Sequence, residues 1–581
     1  MQRSVKRIHS NFLNSSIDSS QIFCREKFSE EQKAIGAMVR KFSLERIAPL
    51  AERLNHYDSA LSLKLMKEMG ELGLIGINIP EEYGGSPMDK VSTAIIEEEL
   101  AYCGSPSFGV TFGCQINIGS LAIVWFGTHE QKKKYLPKLA SAQWIGAFGL
   151  TEPTAGSDAM SGKTQAILTD DGKHYKLNGQ KSFITNGSWA DVFTVFCQVD
   201  EHKFSCFILE KGMPGFEIGN EEKKMGMKGS STVQLFFNDV MVPKKNLIHE
   251  IGKGAEVAFN VLGITRLKFG SSLVGACKCT INHAVNYAKE RIQFGQPIAN
   301  FGAIKSKLAD MIIQTYALDS MSYRILGMVN EEVDNLDKDN PNYYQTVGLL
   351  LRHYMMEMSM AKVLGSETIG NVVDHGLQIY GGYGFIEEYP MAGPYRDSRI
   401  HRIWDGSNEI NRQIIAKTIL SGVLKEKLKL DGDLSESNSN GNFLKKEFNS
   451  VLEGKKLIAL IVNSAIVVSR KSVLMNQHLQ ENLANMLIDL FTLESTLSRI
   501  AVVSKNKEIN IKIGKSLNMQ SSDRLLIAGK YCLLNIFNGK IPYQLNKNLQ
   551  KISGNIDTRA DLFTLKENIA DNVIAIGAYP F

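Results

Sequence analysis

The segment FGLTEPTAGSDA, residues 148–159, stands where the pattern of this sequence changes from helical to extended. Before it, from about Phe28 to Leu139, apolar residues recur along one helical face. From about residue 145 to 250, β-branched and aromatic residues recur with a period of two between turn residues. The segment itself is a loop punctuated by proline and glycine. Its backbone N–H groups and the hydroxyls of Thr151 and Ser157 can bind the polar edge of a ring and a pyrophosphate, although most such loops are ordinary turns.

The periodicities predict helices, a small β unit, more helices and a helical appendage. In the β unit, the dipeptide Asn178-Gly179 is typical of a type I′ hairpin after a strand that ends at Leu177. Strands are predicted at 163–169, 173–177, 192–199 and 232–238. We expect six segments: an N-terminal extension (1–27), a helical domain (28–144), a β domain (145–250), a second helical domain (251–425), a mobile linker (426–444) and a C-terminal helical domain (445–581).

Composition indicates a soluble multi-domain protein of enzyme size. The 581 residues are 44% hydrophobic and 22% charged, with a net charge of +5 that is concentrated in part at the N-terminus. This basic excess is too small to indicate a nucleic-acid partner. The eight cysteines form no C-x-x-C pair and the eleven histidines form no H-E-x-x-H motif, so we expect no metal.

The N-terminus has the composition of a mitochondrial presequence. Residues 1–17 contain no acidic residue but carry Arg3, Lys6 and Arg7, with apolar residues at helical spacing. An ordinary frayed basic tail remains the alternative. No run reaches the roughly 18 apolar residues of a membrane-spanning helix. The nearest run, Leu457–Val468, lies beside basic residues and can dock on a membrane surface or pack against its own dimer.

Two further clusters carry chemically suitable residues. In NGQKSFITNG, residues 178–187, Phe183 and Thr185 are two apart on a strand and share a face. An aromatic plane beside a hydroxyl suits a flat heterocycle, although a core residue beside a polar edge residue explains the pattern too. In RIHRIWDGSNEI, residues 399–410, Asp405 is a candidate general base, against the default of a solvated loop aspartate.

Taken together, the motifs resemble the acyl-CoA dehydrogenase family. They are LTEP-x-x-GSD, F-I-T-N-G, E-R-x-Q-F-G, Q-x-x-GG-x-G, and D-G-S-N-E-I for the family's E-G-T-N-E-I, in the family's order over about residues 28–425. The appendage at 445–581 resembles the long-chain and very-long-chain branch. The resemblance implies a mainly α fold with a central small β-barrel or sandwich domain and a C-terminal helical extension.

The resemblance also implies FAD-dependent dehydrogenation of a long-chain acyl-CoA to the trans-2-enoyl-CoA, with electrons passed to an electron-transferring flavoprotein. It assigns FAD binding to Phe148, Leu150, Thr151, Gly156, Ser157, Phe183, Ile184, Thr185, Ser407 and Glu409, and, from the neighbouring subunit, to Arg291, Phe294, Gln378, Gly381 and Gly382. It assigns substrate binding to Ser157, Gly263, Ile264, Thr265, Arg266 and Gly406, and implies that Arg266 braces the loop that bears the base. Shared cofactor contacts imply a homodimer or a dimer of dimers.

Asp405 stands where the family has glutamate, so the expected base is one methylene short. Displacements of about 1 Å can cost on the order of a hundredfold in rate, and Thr265 and its neighbours supply no substitute carboxylate. We expect the loop to move inward; the alternative is weak chemistry, and with it a role as a complex I assembly or interaction protein. An acyl-CoA oxidase is a third hypothesis.

Two remaining expectations concern chain length and location. Gly119 and Ala122 are small residues where the family's acyl tail ends, which favours a long-chain substrate. The presequence-like N-terminus favours the mitochondrial matrix or inner-membrane surface, with bacterial cytoplasm as the alternative. Nothing explains Gly393, which stands where many relatives have arginine.

Overall fold

The computed structural model describes residues 11–14, 19–430, 444–556 and 560–581. The chain divides into two compact units. The β unit comprises residues 32–268 and 330–352, and the α unit comprises 1–31, 269–329 and 353–581. Most of the predicted presequence and the core of the predicted linker, residues 431–443, lie outside the described residues.

Helices and short turns precede the sheet, and long helices follow it. The first helices are α1 (Glu30–Phe42), α2 (Ala51–Asn55), α3 (Ser59–Glu71), α4 (Lys90–Ala101), α5 (Pro106–Ile116), α6 (Leu121–Phe126) and α7 (His129–Ala140). The strands are β1 (Gly146–Gly149), β2 (Gln165–Leu168), β3 (His174–Thr185), β4 (Val192–Val199), β5 (Lys203–Glu210), β6 (Phe216–Ile218), β7 (Thr232–Pro243), β8 (Leu247–Ile248), β9 (Ile292–Gln293) and β10 (Gln296–Pro297). The later helices are α8 (Gly254–Glu290), α9 (Gly302–Asp334), α10 (Tyr343–Leu350), α11 (Met355–Tyr380), α12 (Ala392–Ser398), α13 (Asn408–Leu424), α14 (Lys445–Ser469), α15 (Gln477–Val502), α16 (Lys507–Ile536), α17 (Tyr543–Asn555) and α18 (Leu562–Ile576).

Side-chain caps fix where several helices begin. The Asp58 carboxylate accepts a hydrogen bond from the Leu61 N–H at the start of α3. The Asp89 carboxylate accepts from the first N–H groups of α4. Thr128 and Gln131 form a reciprocal capping box at α7. Such caps satisfy amide groups that no helical carbonyl can reach.

The eight-stranded sheet of the β unit has the order β6-β7-β3-β2-β4-β5-β8, and β1 pairs with β4 in parallel. The strands predicted at 163–169, 192–199 and 232–238 are confirmed as β2, β4 and β7. The expected mainly α fold with a central β domain is confirmed, but the described sheet is not closed into a barrel, because the end strands β6 and β8 do not pair with each other. The sheet is therefore open.

The predicted hairpin at Asn178-Gly179 is also wrong, since β3 runs through both residues. A β-bulge lies there instead, with Gly179 at φ +142°. A Cβ on Gly179 would lie 2.6 Å from the Thr164 hydroxyl oxygen, so the glycine permits a close strand approach. The Asn178 amide donates to the Asp239 carboxylate 2.9 Å away. Asn178-Gly179 thus marks a bulge with positive φ at the glycine, and the chain does not reverse direction there.

The core of the β unit surrounds β4, which lies in the middle of the sheet. Seven of the eight residues of β4 are buried, because neighbouring strands cover its edges and both faces are packed. The Phe193 ring packs edge-on against Phe216, with centroids 4.9 Å apart. Burying such a side chain contributes about 1.5–3 kcal/mol. This packing makes the strands beside the 148–159 segment a rigid support.

Ion pairs around the buried Arg499 join the N-terminal and C-terminal segments of the α unit. The Arg499 guanidinium lies 2.7 Å from the Glu26 carboxylate and 3.0 Å from that of Asp319. Asp319 also pairs with Arg25 at 2.9 Å. Arg499 and Asp319 are almost wholly buried, where an unpaired charge would cost several kcal/mol, whereas Glu26 lies at the surface. The appendage thus shares one core with the N-terminal segment.

Two helical stretches are long and apolar enough to cross a membrane, by length and composition alone. Pro106–Phe126 is 78% buried within the protein, as a core segment would be, whereas Lys445–Met475 is 39% buried. The expectation that no stretch reaches this length is therefore wrong. The second stretch contains the predicted docking segment Leu457–Val468 and leaves Val467 and Met475 exposed.

Candidate functional site

The predicted cofactor loop has a buried start and an exposed tip. Phe148 and Leu150 are buried, and the Phe148 ring packs on Phe196 with centroids 4.9 Å apart. Thr151 is half-buried, and Gly156 and Ser157 are exposed. A Cβ on Gly156 would have no atom within 4 Å, so the tip is open. The exposed backbone and the Ser157 hydroxyl are suited to bind a polar ligand.

Two charged residues support this loop from below. The Lys181 ammonium donates to the Leu150 carbonyl at 3.1 Å and to the Glu152 carboxylate at 2.5 Å. Both side chains are almost wholly buried. Burial alone would raise the pKa of Glu152, but the charge of Lys181 and its hydrogen bonds hold that pKa below the ordinary value. Both residues lie inside the motifs already quoted, yet sequence reasoning assigned them no role.

The second cluster places an aromatic ring in solvent. Phe183 is 66% exposed, at a β-bulge with φ +60°. Thr185 is half-buried, whereas the Ile184 side chain between them is buried in the core. Ile184 therefore can contribute only backbone groups. An exposed phenylalanine at a left-handed residue is costly for stability alone and fits a ring that stacks on a bound heterocycle.

The predicted substrate segment 263–266 lies within α8, in a region for which the sequence predicts helices. Ile264 is fully buried, and Gly263 and Arg266 are buried too. The half-buried Thr265 donates its hydroxyl to the Leu262 carbonyl at 2.8 Å. The segment carries no proline, and its apolar residues continue the periodicity on both sides. This continuity is the signal by which the sequence predicts a helix here.

Asp405 lies in a tight turn before α13. Asp405 has φ +53° and Gly406 has φ +84°, which is left-handed backbone at both positions. The Ser407 hydroxyl accepts from the Ile410 N–H and caps α13. The buried Asn411 amide donates to the Gly406 carbonyl at 2.7 Å and to the Ser407 carbonyl at 3.0 Å. An aspartate in this conformation stores strain, as residues at functional sites often do.

A polar network beneath the turn fixes its position. The fully buried Lys362 donates to the Asn408 side-chain oxygen at 2.8 Å, and Ser366 hydrogen-bonds to the same amide. Glu409 is exposed, and hydrogen bonds from its own backbone N–H and the Ser407 hydroxyl lower its pKa. Burial, with the charge of Lys362, lowers the pKa of the nearby His401 to about 3. Lys362 and Ser366 come from α11, and no motif in the sequence marks them.

The remaining predicted cofactor residues gather on exposed surface of the α unit. Phe294 and Gly295 form the two-residue turn between β9 and β10, with φ +51° and +76°. Phe294 is 94% exposed. The Arg291 guanidinium lies 5.5 Å from the centroid of the Tyr383 ring. Gln378 is exposed at the end of α11.

Gly381 and Gly382 come directly after the end of α11 and are exposed. A Cβ added to either glycine would have no atom within 4 Å. Together with the 80% exposed Phe385, they leave an apolar surface with open backbone. Such a surface fits contact with another molecule. Within the described residues, no group of three or more His, Cys, Asp or Glu side chains could hold a metal ion.

Comparison with known proteins matches three family models to the chain. They are the acyl-CoA dehydrogenase N-terminal domain over residues 29–143, the middle domain over 147–240 and the C-terminal domain over 252–420. A probable acyl-CoA dehydrogenase of Bacillus subtilis (strain 168) is 40% identical over 498 residues, covering 84% of each chain. The mitochondrial very long-chain specific acyl-CoA dehydrogenase of Homo sapiens is 33% identical over 498 residues, covering 78% of this chain and 73% of that protein. Among solved structures, an acyl-CoA dehydrogenase complexed with FAD from Bacillus anthracis matches with a TM-score of 0.92 and 37% identity, covering 98% and 99% of the two chains.

Proposed function

We propose, because this chain belongs to the acyl-CoA dehydrogenase family, that it oxidises a long-chain acyl-CoA to the trans-2-enoyl-CoA. Members of this family are FAD-dependent oxidoreductases. The observation that carries the proposal is the strained turn at Asp405, which a buried network supports from below. A strained backbone that buried hydrogen bonds hold in place is expected around a catalytic carboxylate, because its position must be fixed.

The residues present fit the cofactor. The exposed Phe183 ring stacks on the flavin, and Thr185 hydrogen-bonds to its edge. The exposed loop tip at Gly156 and Ser157 binds the pyrophosphate through backbone N–H groups and a hydroxyl. On the α unit, Ser407 and Glu409 offer a hydroxyl and a carboxylate to the same kind of ligand. When bound, FAD accepts a hydride from the β-carbon of the acyl chain.

Asp405 removes the α-proton of the thioester in this proposal. Its side chain is one methylene shorter than the family's glutamate, a deficit of about 1.5 Å that matters at the scale on which catalytic groups are positioned. The left-handed conformations at Asp405 and Gly406 give the turn a specific path. We infer that this path compensates for the shorter side chain. Of the residues expected to bind the thioester, Thr265 on α8 and Gly406 in the turn are half-buried, whereas Gly263, Ile264 and Arg266 are buried.

The decisive experiment compares two variants of Asp405. With excess palmitoyl-CoA under anaerobic conditions, Asp405→Asn should abolish bleaching of the flavin absorbance because the amide cannot accept the proton. Asp405→Glu should retain bleaching, since it restores the family's residue. Asp374→Asn, an exposed aspartate on α11, is the matched control and should bleach normally.

Bleaching that survives in Asp405→Asn removes this residue from the mechanism. A wild-type protein that binds FAD but does not bleach favours the second candidate, an interaction protein with a weakened base, for which the shortened carboxylate is the observation. Peroxide release in air at the rate of bleaching would indicate an oxidase instead. The electron acceptor proposed for the dehydrogenase is an electron-transferring flavoprotein.

We further propose that the active form is a homodimer or a dimer of dimers. Arg291, Phe294 and the Gln378–Gly382 segment are exposed in one chain, and they bind the adenosine-diphosphate part of FAD in a second copy. The exposed Phe294 and Phe385 supply apolar area for such an interface. The single chain therefore offers cofactor contacts that it does not use itself.

We also propose a cellular location and a peripheral membrane contact. Related proteins come from bacteria and from mitochondria, so the mitochondrial matrix, the inner-membrane surface and the bacterial cytoplasm all remain consistent with the chain. In Lys445–Met475, the exposed Val467, Val468 and Met475 stand beside Arg470 and Lys471. Apolar and basic side chains together suit a peripheral contact with anionic lipid.

A further inference from the structure

The loop that carries Thr151, Gly156 and Ser157 is closed by one carboxylate. Glu152 lies at the start of the loop, and its side chain accepts hydrogen bonds from backbone N–H groups at the end of it, from Lys163 at 2.6 Å and from Thr164 at 3.2 Å. The two ends of a stretch of about a dozen residues are therefore joined by one side chain. The Glu152 and Ala155 backbones also exchange two hydrogen bonds of 3.1 Å, which forms a tight turn before the exposed tip.

Lys181 fixes that carboxylate to the sheet. It lies on β3, only two residues before Phe183, and its ammonium contacts both Glu152 and the Leu150 carbonyl. Next to it, the Ser182 N–H donates to the Thr151 carbonyl at 2.9 Å. One buried ion pair thus connects the loop, the loop exit and the strand that presents the exposed aromatic ring.

Space around the carboxylate is fully used. A Cβ on Gly162 would lie 2.7 Å from one Glu152 carboxylate oxygen and 3.0 Å from the carboxyl carbon. Because Lys181, Lys163 and Thr164 all donate to this group, it cannot swing aside without losing hydrogen bonds. Residue 162 must therefore be glycine as long as the Glu152 carboxylate stays where it is. A glycine at residue 162 is thus independent evidence that the carboxylate has a fixed position.

We propose that Lys181 and Glu152 are positioning residues, which hold the loop at 151–157 in the form that binds FAD. The inference rests on the proposed function, which assigns FAD to this loop. The pair does not touch the proposed ligand, because both side chains are buried beneath the loop. Without the pair, the tip samples other conformations and the apparent dissociation constant rises by the inverse of the fraction that stays competent.

The test measures FAD affinity and thermal stability of the full-length protein in parallel. The variants are Lys181→Met, Glu152→Gln, the double variant of both, and Gly162→Ala. The matched control is Lys176→Met, on the same strand, where the lysine forms an exposed pair with Asp239 at 3.3 Å. FAD release after dilution of the holoenzyme, followed by flavin fluorescence, and equilibrium titration give the affinity.

We expect a dissociation constant raised about tenfold or more in each of the four variants, as for a loop that is competent one tenth of the time, and an unchanged value in the control. Each single charge substitution leaves its partner buried and unpaired, so it also lowers the melting temperature. The double variant removes both charges and should recover melting temperature but not FAD affinity. A double variant with restored melting temperature and weak FAD binding would show that the pair positions the loop and does not merely stabilise the fold.

Three results would overturn parts of this argument in different ways. Wild-type FAD affinity in the double variant and in Gly162→Ala would refute the positioning role alone. The same follows if affinity recovers together with melting temperature in the double variant. A wild-type protein that binds no FAD at all would refute the proposed function, and the inference with it. If a single variant fails to fold, the double variant and Gly162→Ala still decide the matter.

Discussion

Replacement of Gly119 tests whether this glycine serves the acyl chain or the backbone. Gly119 lies in the turn before α6, where its backbone passes close to Gly146 at the start of β1. A Cβ on Gly119 would lie 2.7 Å from the Gly146 carbonyl oxygen, 2.9 Å from its carbon and 3.0 Å from the Cys114 carbonyl oxygen. All three are backbone atoms in a packed region, so none can move independently.

Normal contacts of a Cβ are at 3.4 Å or more, so the backbone in Gly119→Ala must separate by several tenths of an ångström. Overpacking of this kind costs about 1–3 kcal/mol. For a unit of this size, the loss corresponds to about 2–8 °C in melting temperature. Gly109→Ala on α5 is the control, because its Cβ would meet nothing within 4 Å. That substitution should stabilise by about 0.5–1 kcal/mol through the unfolded chain and helix propensity.

The assay combines thermal unfolding with a substrate series from butyryl-CoA to palmitoyl-CoA. We expect Gly119→Ala to lower the melting temperature. An unchanged melting temperature, together with an optimum shifted to shorter acyl chains, would show that room for the substrate and not the approach of β1 explains the glycine. Such a result would restore the interpretation that the sequence first suggested.

Two other perturbations test the proposed assembly and the pH dependence. Phe294→Ser should weaken the dimer and lower the FAD content, because it removes a ring that is 94% exposed in the single chain; sedimentation at several concentrations measures this, and an unchanged dimer would contradict the proposal. The pKa of His401 is lowered from 6.5 to about 3 in the folded protein, so between these pH values the unfolded chain binds a proton that the folded chain does not. Stability should therefore fall as pH falls through this window, and less steeply in His401→Leu, as measured by denaturant unfolding at stepped pH. Equal slopes in the two proteins would contradict the buried neutral histidine.

The order and type of the elements could be predicted from the sequence because their signals are local. Alternation of β-branched and aromatic residues marked β4 and β7, and helical periodicity marked the flanking regions. Asn178-Gly179 misled because the same backbone freedom that makes a tight turn also permits a bulge. Only the position of Thr164, just before β2, distinguishes the two.

The sequence could suggest candidate site residues that lie within one motif, and not contacts between residues that meet across the fold. Phe183 and Asp405 are candidates because of their immediate neighbours in the sequence. It could not reveal that Lys181 pairs with Glu152, since that contact depends on the register of β3 against the loop. It could not reveal Lys362 beneath Asn408 either, because the two lie on different helices. Sheet closure is likewise a property of all strands together, and no single strand encodes it.

The ion pair between Arg499 and Glu26 has a consequence for how this protein emerges from the ribosome. Residues 32–268 form nearly all of the β unit and are synthesised early in translation. Glu26, in the N-terminal segment of the α unit, pairs with Arg499, which is synthesised more than four hundred residues later. Domains generally fold as units during synthesis, but the α unit cannot close until the chain is almost finished. A nascent chain stalled before α15 would therefore hold the Asp319 carboxylate with only Arg25, one of its two partners in the finished protein.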